Sequence, residues 1–166
     1  MNPNIYNVLF LCTGNSARSI MGEALLNHML RHGGRFRGFS AGSHPKGQIH
    51  PLTLKLLSEH QVPVGTLRSK HWDEFARADA PRMDFVFTVC DQAAGESCPL
   101  WPGQPVTAHW GLPDPAACAG DEATRVRAFR DTLTALRRRL ELFIALPLEK
   151  LDRLALQRRV VEIGRS

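Results

Sequence analysis

Short apolar runs alternate along this chain with longer stretches in which apolar residues recur every three or four positions. The short runs are too brief for buried helices and predict strands. They are Ile5 to Leu11, Phe36 to Ala41, Asp84 to Val89 and Val106 to His109. The periodic stretches predict amphipathic helices. They cover about 20–30 (stopped by Gly33-Gly34), 49–60, a short segment at 72–78, and 122–145.

Strands that alternate with helices predict an α/β fold with a parallel sheet and helices on both faces. In such sheets ligands bind beyond the carboxyl ends of the strands. Cys12 and Cys90 each follow a predicted strand directly, so both thiols are expected at the same edge of the sheet. Past Pro147, the segment from Leu148 to Ile163 is again amphipathic. We therefore predict one domain over 1–147 and a helical extension over 148–166.

Composition removes several classes of protein. The 166 residues, 43% hydrophobic and 22% charged, suffice for one compact core. The longest apolar run, Leu142 to Leu148, has seven residues, whereas a membrane-spanning helix needs about 20. No secretory signal is visible, so we expect a cytoplasmic protein with no membrane partner. The net charge of +5 favours anionic ligands, but no nucleic-acid-binding module is evident.

The cysteines and histidines do not form a metal-binding pattern. Four cysteines occur without a CxxC pair, and reduced or reactive thiols are the expectation in a chain without a signal. The closest pairing of histidines, His28 with His32, has no third ligand nearby. We predict no metal site.

One motif stands between the first strand and the first helix. Cys12 is followed by Thr13, Gly14, Asn15, Ser16, Ala17, Arg18 and Ser19. A turn of this length that enters a helix directs backbone N–H groups inward and binds an anion. Gly14 is expected to supply a positive φ, and Arg18 a planar fork for two oxygens of a tetrahedral anion. These dipoles and charges are expected to lower the pKa of the Cys12 thiol and make it a nucleophile.

The order of three sequence blocks resembles the low-molecular-weight protein tyrosine phosphatase fold family and, within it, the arsenate reductases coupled to thioredoxin. The blocks are CTGNSARS at 12–19, TVCDQAAGESCP at 88–99 and HWGLPDPA at 109–116. The resemblance implies a four-stranded parallel sheet flanked by helices, to which this chain adds its C-terminal helix.

The resemblance also implies a reaction. Reduction of arsenate to arsenite needs two electrons, which thiols supply in pairs. Cys12 would form a thiol–arsenate adduct, Cys90 would attack the Cys12 sulfur, and Cys98 would attack Cys90, while Asp114 protonates the leaving oxygen. Cys118 matches no redox position. No cofactor is expected to be bound; an external dithiol protein, thioredoxin or a glutaredoxin-like reductant, would regenerate the enzyme.

Other interpretations remain open at this point. The same cradle would support hydrolysis of phosphomonoesters, although Ala116 and Ala117 stand where phosphatases of the family carry a tyrosine. A non-catalytic oxyanion sensor is a third interpretation.

The family likeness also bears on a bound cation. Some of the similar reductases hold a potassium ion through residues that match Asn15, Glu23 and Ser40. Lys70 falls near the fourth position here, so we expect its ammonium to replace the ion.

Overall fold

The computed structural model describes residues 5–29, 32–90 and 101–166. Within them, four parallel strands form one sheet in the order β2-β1-β3-β4. The strands are β1 (Tyr6–Cys12), β2 (Phe36–Gly42), β3 (Phe85–Thr88) and β4 (Val106–His109). The α-helices are α1 (Arg18–His28), α2 (Pro51–Glu59), α3 (Glu122–Ile144) and α4 (Arg153–Gly164). The predicted α/β fold with a four-stranded parallel sheet and an additional C-terminal helix is confirmed.

Two predicted helices differ from the prediction in extent. The segment predicted at 72–78 is a single 3-10 turn, Trp72–Phe75, whose side chains Trp72 and Phe75 are buried. The predicted helix from Leu148 to Ile163 divides into a 3-10 turn, Leu148–Lys150, and α4. The division falls at Asp152, whose carboxylate accepts a hydrogen bond from the N–H of Ala155 and caps α4.

The two faces of the sheet are covered differently. Strand residues alternate between the faces, so Val8 and Phe10 join one core while Leu9 and Leu11 join the other. The larger core contains buried residues from all four α-helices. The smaller core packs against the 3-10 turn at Trp72–Phe75. Helical segments therefore cover both faces, and none of the described helices is long and apolar enough to cross a membrane.

The carboxyl ends of β1, β2 and β3 meet at one edge of the sheet, and the connection from β1 to α1 lies there. Gly42, the last residue of β2, approaches this connection closely. A Cβ on Gly42 would lie 2.4 Å from the carbonyl oxygen of Thr13, so only glycine fits. This is the edge of the sheet at which the sequence analysis predicts Cys12 and Cys90.

Candidate active site

Residues 12–18 form a cradle whose carbonyl groups are tied outward. The carbonyl oxygens of Thr13 and Gly14 accept hydrogen bonds from the N–H groups of His44 (2.9 Å) and Lys46 (3.0 Å). The carbonyl oxygen of Ser16 accepts from the His50 N–H at 3.0 Å and from the Thr53 hydroxyl at 3.1 Å. These hydrogen bonds engage the three carbonyl oxygens, while the backbone N–H of Asn15 points at the Cys12 sulfur. That arrangement favours an anion.

Helix α1 begins directly at the cradle. Its N-cap residue is Ala17, which has no side-chain oxygen to satisfy the first N–H groups of the helix. These groups and the helix dipole are therefore available to an oxyanion held at the helix N-terminus.

Cys12 lies at the base of the cradle and is 3% exposed. Its Sγ lies 2.9 Å from the Ser19 hydroxyl, and the N–H of Asn15 donates to it at 3.2 Å. The Asn15 amide donates to the same Ser19 hydroxyl at 2.8 Å. Because its hydroxyl already accepts from Asn15, Ser19 is oriented to donate its proton to a Cys12 thiolate.

The expected lowering of the Cys12 pKa is contradicted. Burial raises the pKa of the Cys12 thiol above its ordinary value, and the hydrogen bonds from Ser19 and Asn15 only partly oppose that rise. The nearby thiol of Cys90 acts in the same direction as burial. Sequence reasoning counted the dipoles around the sulfur but not its exclusion from water.

The conformational role expected for Gly14 belongs to Asn15. Asn15 is fully buried with a φ of 46°, whereas Gly14 is not in the left-handed region. Asparagine tolerates that region better than most residues. At Gly14 the backbone is instead approached closely by a side chain, since a Cβ there would lie 3.2 Å from Cε of Lys46.

Arg18 and Asp114 are brought together at the mouth of the cradle. The Arg18 guanidinium donates to the carbonyl oxygen of Leu112 at 2.9 Å and lies 3.7 Å from the Asp114 carboxylate. This carboxylate also accepts a hydrogen bond from the Ala116 N–H at 3.0 Å. Arg18, Asp114 and Cys12 line one pocket of about 230 Å³, so the predicted nucleophile, oxyanion-binding arginine and acid share a site.

Cys90 lies where the parallel-strand argument predicts. It follows β3, is 2% exposed, and its Sγ lies 3.7 Å from the hydroxyl oxygen of Thr13, the residue next to Cys12. The third predicted redox residue, Cys98, lies outside the described residues. Cys118 is partly exposed, and its thiol contacts the carbonyl oxygen of Ala119.

The residues expected around a potassium ion do not fit one. The Lys70 ammonium lies 3.6 Å from the Glu23 carboxylate, 3.5 Å from the Ser40 hydroxyl and 2.7 Å from the carbonyl oxygen of Arg68. The backbone N–H of Lys70 also donates to the Asn15 side chain at 2.8 Å. The Lys70 ammonium thus occupies the position expected for the potassium ion. In the described residues, no cluster of three or more His, Cys, Asp or Glu side chains could hold a metal ion.

Sequence reasoning missed the segment that closes the cradle from the β2 side. His44 and Lys46 line the pocket that contains Cys12, and Ser69 donates to the Gly14 carbonyl oxygen at 3.4 Å. The segment from 43 to 50 has no periodicity, so no pattern marked it. The only available signal was its position after β2, at the carboxyl edge of a parallel sheet.

The fold and the cradle agree with comparisons to known proteins. The model of the low molecular weight phosphotyrosine protein phosphatase family matches residues 7–156, and the chain belongs to this family.

Among individual relatives, a protein named arsenate reductase from Shouchella clausii is 33% identical over 138 residues, covering 82% of this chain and 93% of that protein. The arsenate reductase of Bacillus subtilis is 32% identical over 136 residues, with the same coverage of both chains.

Solved structures give the same picture. An arsenate reductase in its phosphate-binding state superposes with a TM-score of 0.67 at 25% identity, covering 85% of this chain and 98% of that one. A thioredoxin-dependent arsenate reductase from Corynebacterium glutamicum superposes with a TM-score of 0.55 at 26% identity. The superposition covers 86% of this chain and 65% of that protein.

Proposed function

We propose that this protein is an enzyme that reduces arsenate to arsenite. The observation that carries the proposal is the placement of a second buried sulfur, Cys90, beside the oxyanion cradle that holds Cys12. Hydrolysis of a phosphomonoester needs one nucleophilic thiol, whereas reduction of arsenic needs two. The names of relatives at 32–33% identity support the same activity.

The first step forms a bond between sulfur and arsenic. The Cys12 thiolate attacks As(V), one As–O bond breaks, and the departing oxygen leaves as water after Asp114 protonates it. Backbone N–H groups of the cradle and Arg18 hold the remaining arsenate oxygens. Ser19 stabilises Cys12 in the thiolate form, against the cost of burial.

The second step transfers two electrons. The Cys90 thiolate attacks the Cys12 sulfur, the S–As bond breaks, and its electron pair stays on arsenic, which leaves as As(III) in arsenite. Cys12 and Cys90 are then joined in a disulfide. The atoms and electrons balance, since two thiolates lose two electrons and one arsenic gains them.

Cys98 completes the cycle in this proposal. Its thiolate attacks Cys90, frees Cys12 and leaves a Cys90–Cys98 disulfide for an external dithiol protein to reduce. Thioredoxin is the reductant we infer, because the similar arsenate reductase of Corynebacterium glutamicum is thioredoxin-dependent. A glutaredoxin-like protein is the alternative, and both kinds of protein act in reducing compartments.

Single Cys→Ser variants test the relay. Cys12→Ser, Cys90→Ser and Cys98→Ser are each expected to abolish multi-turnover arsenite production with thioredoxin and its reductase, whereas Cys118→Ser, the matched control, retains it. Mass spectrometry after arsenate exposure should find Cys90 paired with Cys98. Full arsenite turnover by Cys90→Ser would refute the proposal.

Hydrolysis of phosphomonoesters is a second candidate, favoured by the family to which the chain belongs. It requires only Cys12, Arg18 and Asp114. Under this alternative, hydrolysis of p-nitrophenyl phosphate is lost in Cys12→Ser but retained in Cys90→Ser and Cys98→Ser, and no variant produces arsenite.

We also propose that turnover does not depend on potassium, because Lys70 already places an ammonium against Glu23 and Ser40. Exchange of sodium for potassium at fixed ionic strength should leave arsenite production unchanged. A stimulation by potassium would contradict this assignment.

A further inference from the structure

The oxyanion pocket has a wall that lies outside the Cys12–Ser19 motif. Besides the cradle residues, His44, Lys46 and Asp114 line the same pocket of about 230 Å³. Of these three residues, Lys46 is the one whose side chain is permanently cationic at neutral pH. The Lys46 side chain is exposed, so its charge carries no cost of burial.

Both the backbone and the side chain of Lys46 are held against the cradle. Its N–H donates to the Gly14 carbonyl oxygen at 3.0 Å, which fixes the start of the side chain. The aliphatic carbons then run along Gly14, with Cγ, Cδ and Cε 3.4, 3.5 and 3.2 Å from the position of a Cβ on that glycine. The absence of a side chain at Gly14 therefore gives the lysine stem its path along the rim.

The charged side chains of Arg18 and Asp114 at the pocket mouth do not by themselves neutralise a bound anion, so a further positive charge is needed. The Arg18 guanidinium faces the Asp114 carboxylate at 3.7 Å and gives one N–H to the Leu112 carbonyl oxygen. In its ionised form, Asp114 therefore offsets part of the positive charge that Arg18 offers. A tetrahedral arsenate or phosphate carries up to two negative charges at neutral pH. Arg18 alone does not balance them.

We propose that Lys46 is an oxyanion-binding residue that supplies the second positive charge for the tetrahedral anion in the Cys12 cradle. The assignment deepens the proposed function, because it concerns the same pocket and the same class of substrate. Lys46 acts in binding the anion rather than in breaking the As–O bond, so its loss raises KM and leaves kcat nearly unchanged.

Binding of inorganic phosphate and of arsenate tests this role directly. Inorganic phosphate is expected to protect Cys12 from alkylation by iodoacetamide, and the protection, followed by mass spectrometry of the Cys12 peptide, gives an affinity without requiring turnover. For arsenate, which consumes the Cys12 thiol in the proposed reaction, the KM for arsenite production is compared instead. Lys46→Met keeps the apolar stem and removes the charge. We expect it to weaken both anions about tenfold, the size of one charge-assisted hydrogen bond.

Two further variants separate charge from shape. Lys46→Arg restores a cation and is expected to bind both anions within about twofold of the parent protein, because one hydrogen-bonded charge is replaced by another. Lys150→Met is the matched control, since Lys150 is exposed and lies in the 3-10 turn before α4, outside the pocket. It should bind like the parent. Added salt should weaken binding less in Lys46→Met than in the parent protein.

Equal anion affinity in Lys46→Met and the parent protein would overturn the assignment, as would equal weakening by Lys46→Met and Lys46→Arg. The outcome is independent of the redox proposal. Loss of phosphate protection in Lys46→Met with no arsenite produced by the parent protein would keep Lys46 as an anion ligand and refute reduction. Unchanged phosphate protection in Lys46→Met, together with arsenite production by the parent protein, would refute the role of Lys46 and keep the proposed reduction.

Discussion

The Cys12 thiol is subject to two opposing influences at the level of single residues. Burial favours the neutral thiol, while Ser19 and the Asn15 N–H favour the thiolate. Lys70 affects Cys12 indirectly. Its backbone N–H donates to the Asn15 side chain, whose amide in turn orients the Ser19 hydroxyl. The reactivity of Cys12 thus depends on Lys70 as well as on the two residues that contact its sulfur.

Removal of the Ser19 hydroxyl is expected to raise the pKa of Cys12 further. In Ser19→Ala, the midpoint of the pH profile for alkylation of Cys12 should move to higher pH, and alkylation at pH 7 should slow, because the group that lowers this pKa is gone. Ser19→Thr keeps a hydroxyl and should lie near the parent protein. Ser58→Ala, on the exposed side of α2, is the control for a lost serine elsewhere. Superimposable profiles for Ser19→Ala and the parent protein would show that Ser19 does not stabilise the thiolate.

At the scale of elements, the strands and long helices were predictable because each carries a periodic apolar pattern. β4 occupies the four residues predicted for it, and α3 ends within one residue of its predicted boundary. The failures share a physical cause. Hydrophobic periodicity cannot separate a 3-10 turn with two buried aromatic residues from an α-helix, and it does not register the Asp152 cap that begins α4.

The site was predictable in part for a similar reason. Cys12 ends a strand, Cys90 follows one and Arg18 begins a helix, so the topology itself places them. The prediction of Asp114 came from the family resemblance. The contributions of Lys46 and His44 come from tertiary contacts between the cradle and a non-periodic segment, and no local pattern encodes such contacts. The positive φ at Asn15 rather than at Gly14, and the packing of the Lys46 stem on Gly14, were not predictable for the same reason.

At the scale of the whole molecule, the C-terminal extension covers the edge of the sheet formed by β4. The Trp110 indole N–H donates to the Val160 carbonyl oxygen at 2.9 Å, and the Gln157 amide donates to the Thr107 carbonyl oxygen. Arg153 donates to the carbonyl oxygen of Pro105, just before β4. Polar groups of an edge strand are prone to pair with other chains unless covered. We therefore infer that residues 148–166 extend the 1–147 domain and depend on it for their own folding.

The close approach of Gly164 in α4 to the end of β4 gives a test of this dependence. A Cβ on Gly164 would lie 2.4 Å from the His109 carbonyl oxygen and 2.7 Å from the Trp110 ring. Gly164→Ala should therefore lower the free energy of unfolding by about 1–3 kcal/mol, the usual cost of overpacking, despite the better helix propensity of alanine. Gly65→Ala, where nothing lies within 4 Å of the new Cβ, is the matched control and should be neutral or slightly stabilising. Urea unfolding followed by tryptophan fluorescence measures both, since Trp110 lies in this contact. Identical midpoints for the two variants would mean that α4 does not rest on β4, and the extension would then have to be treated as an independent element.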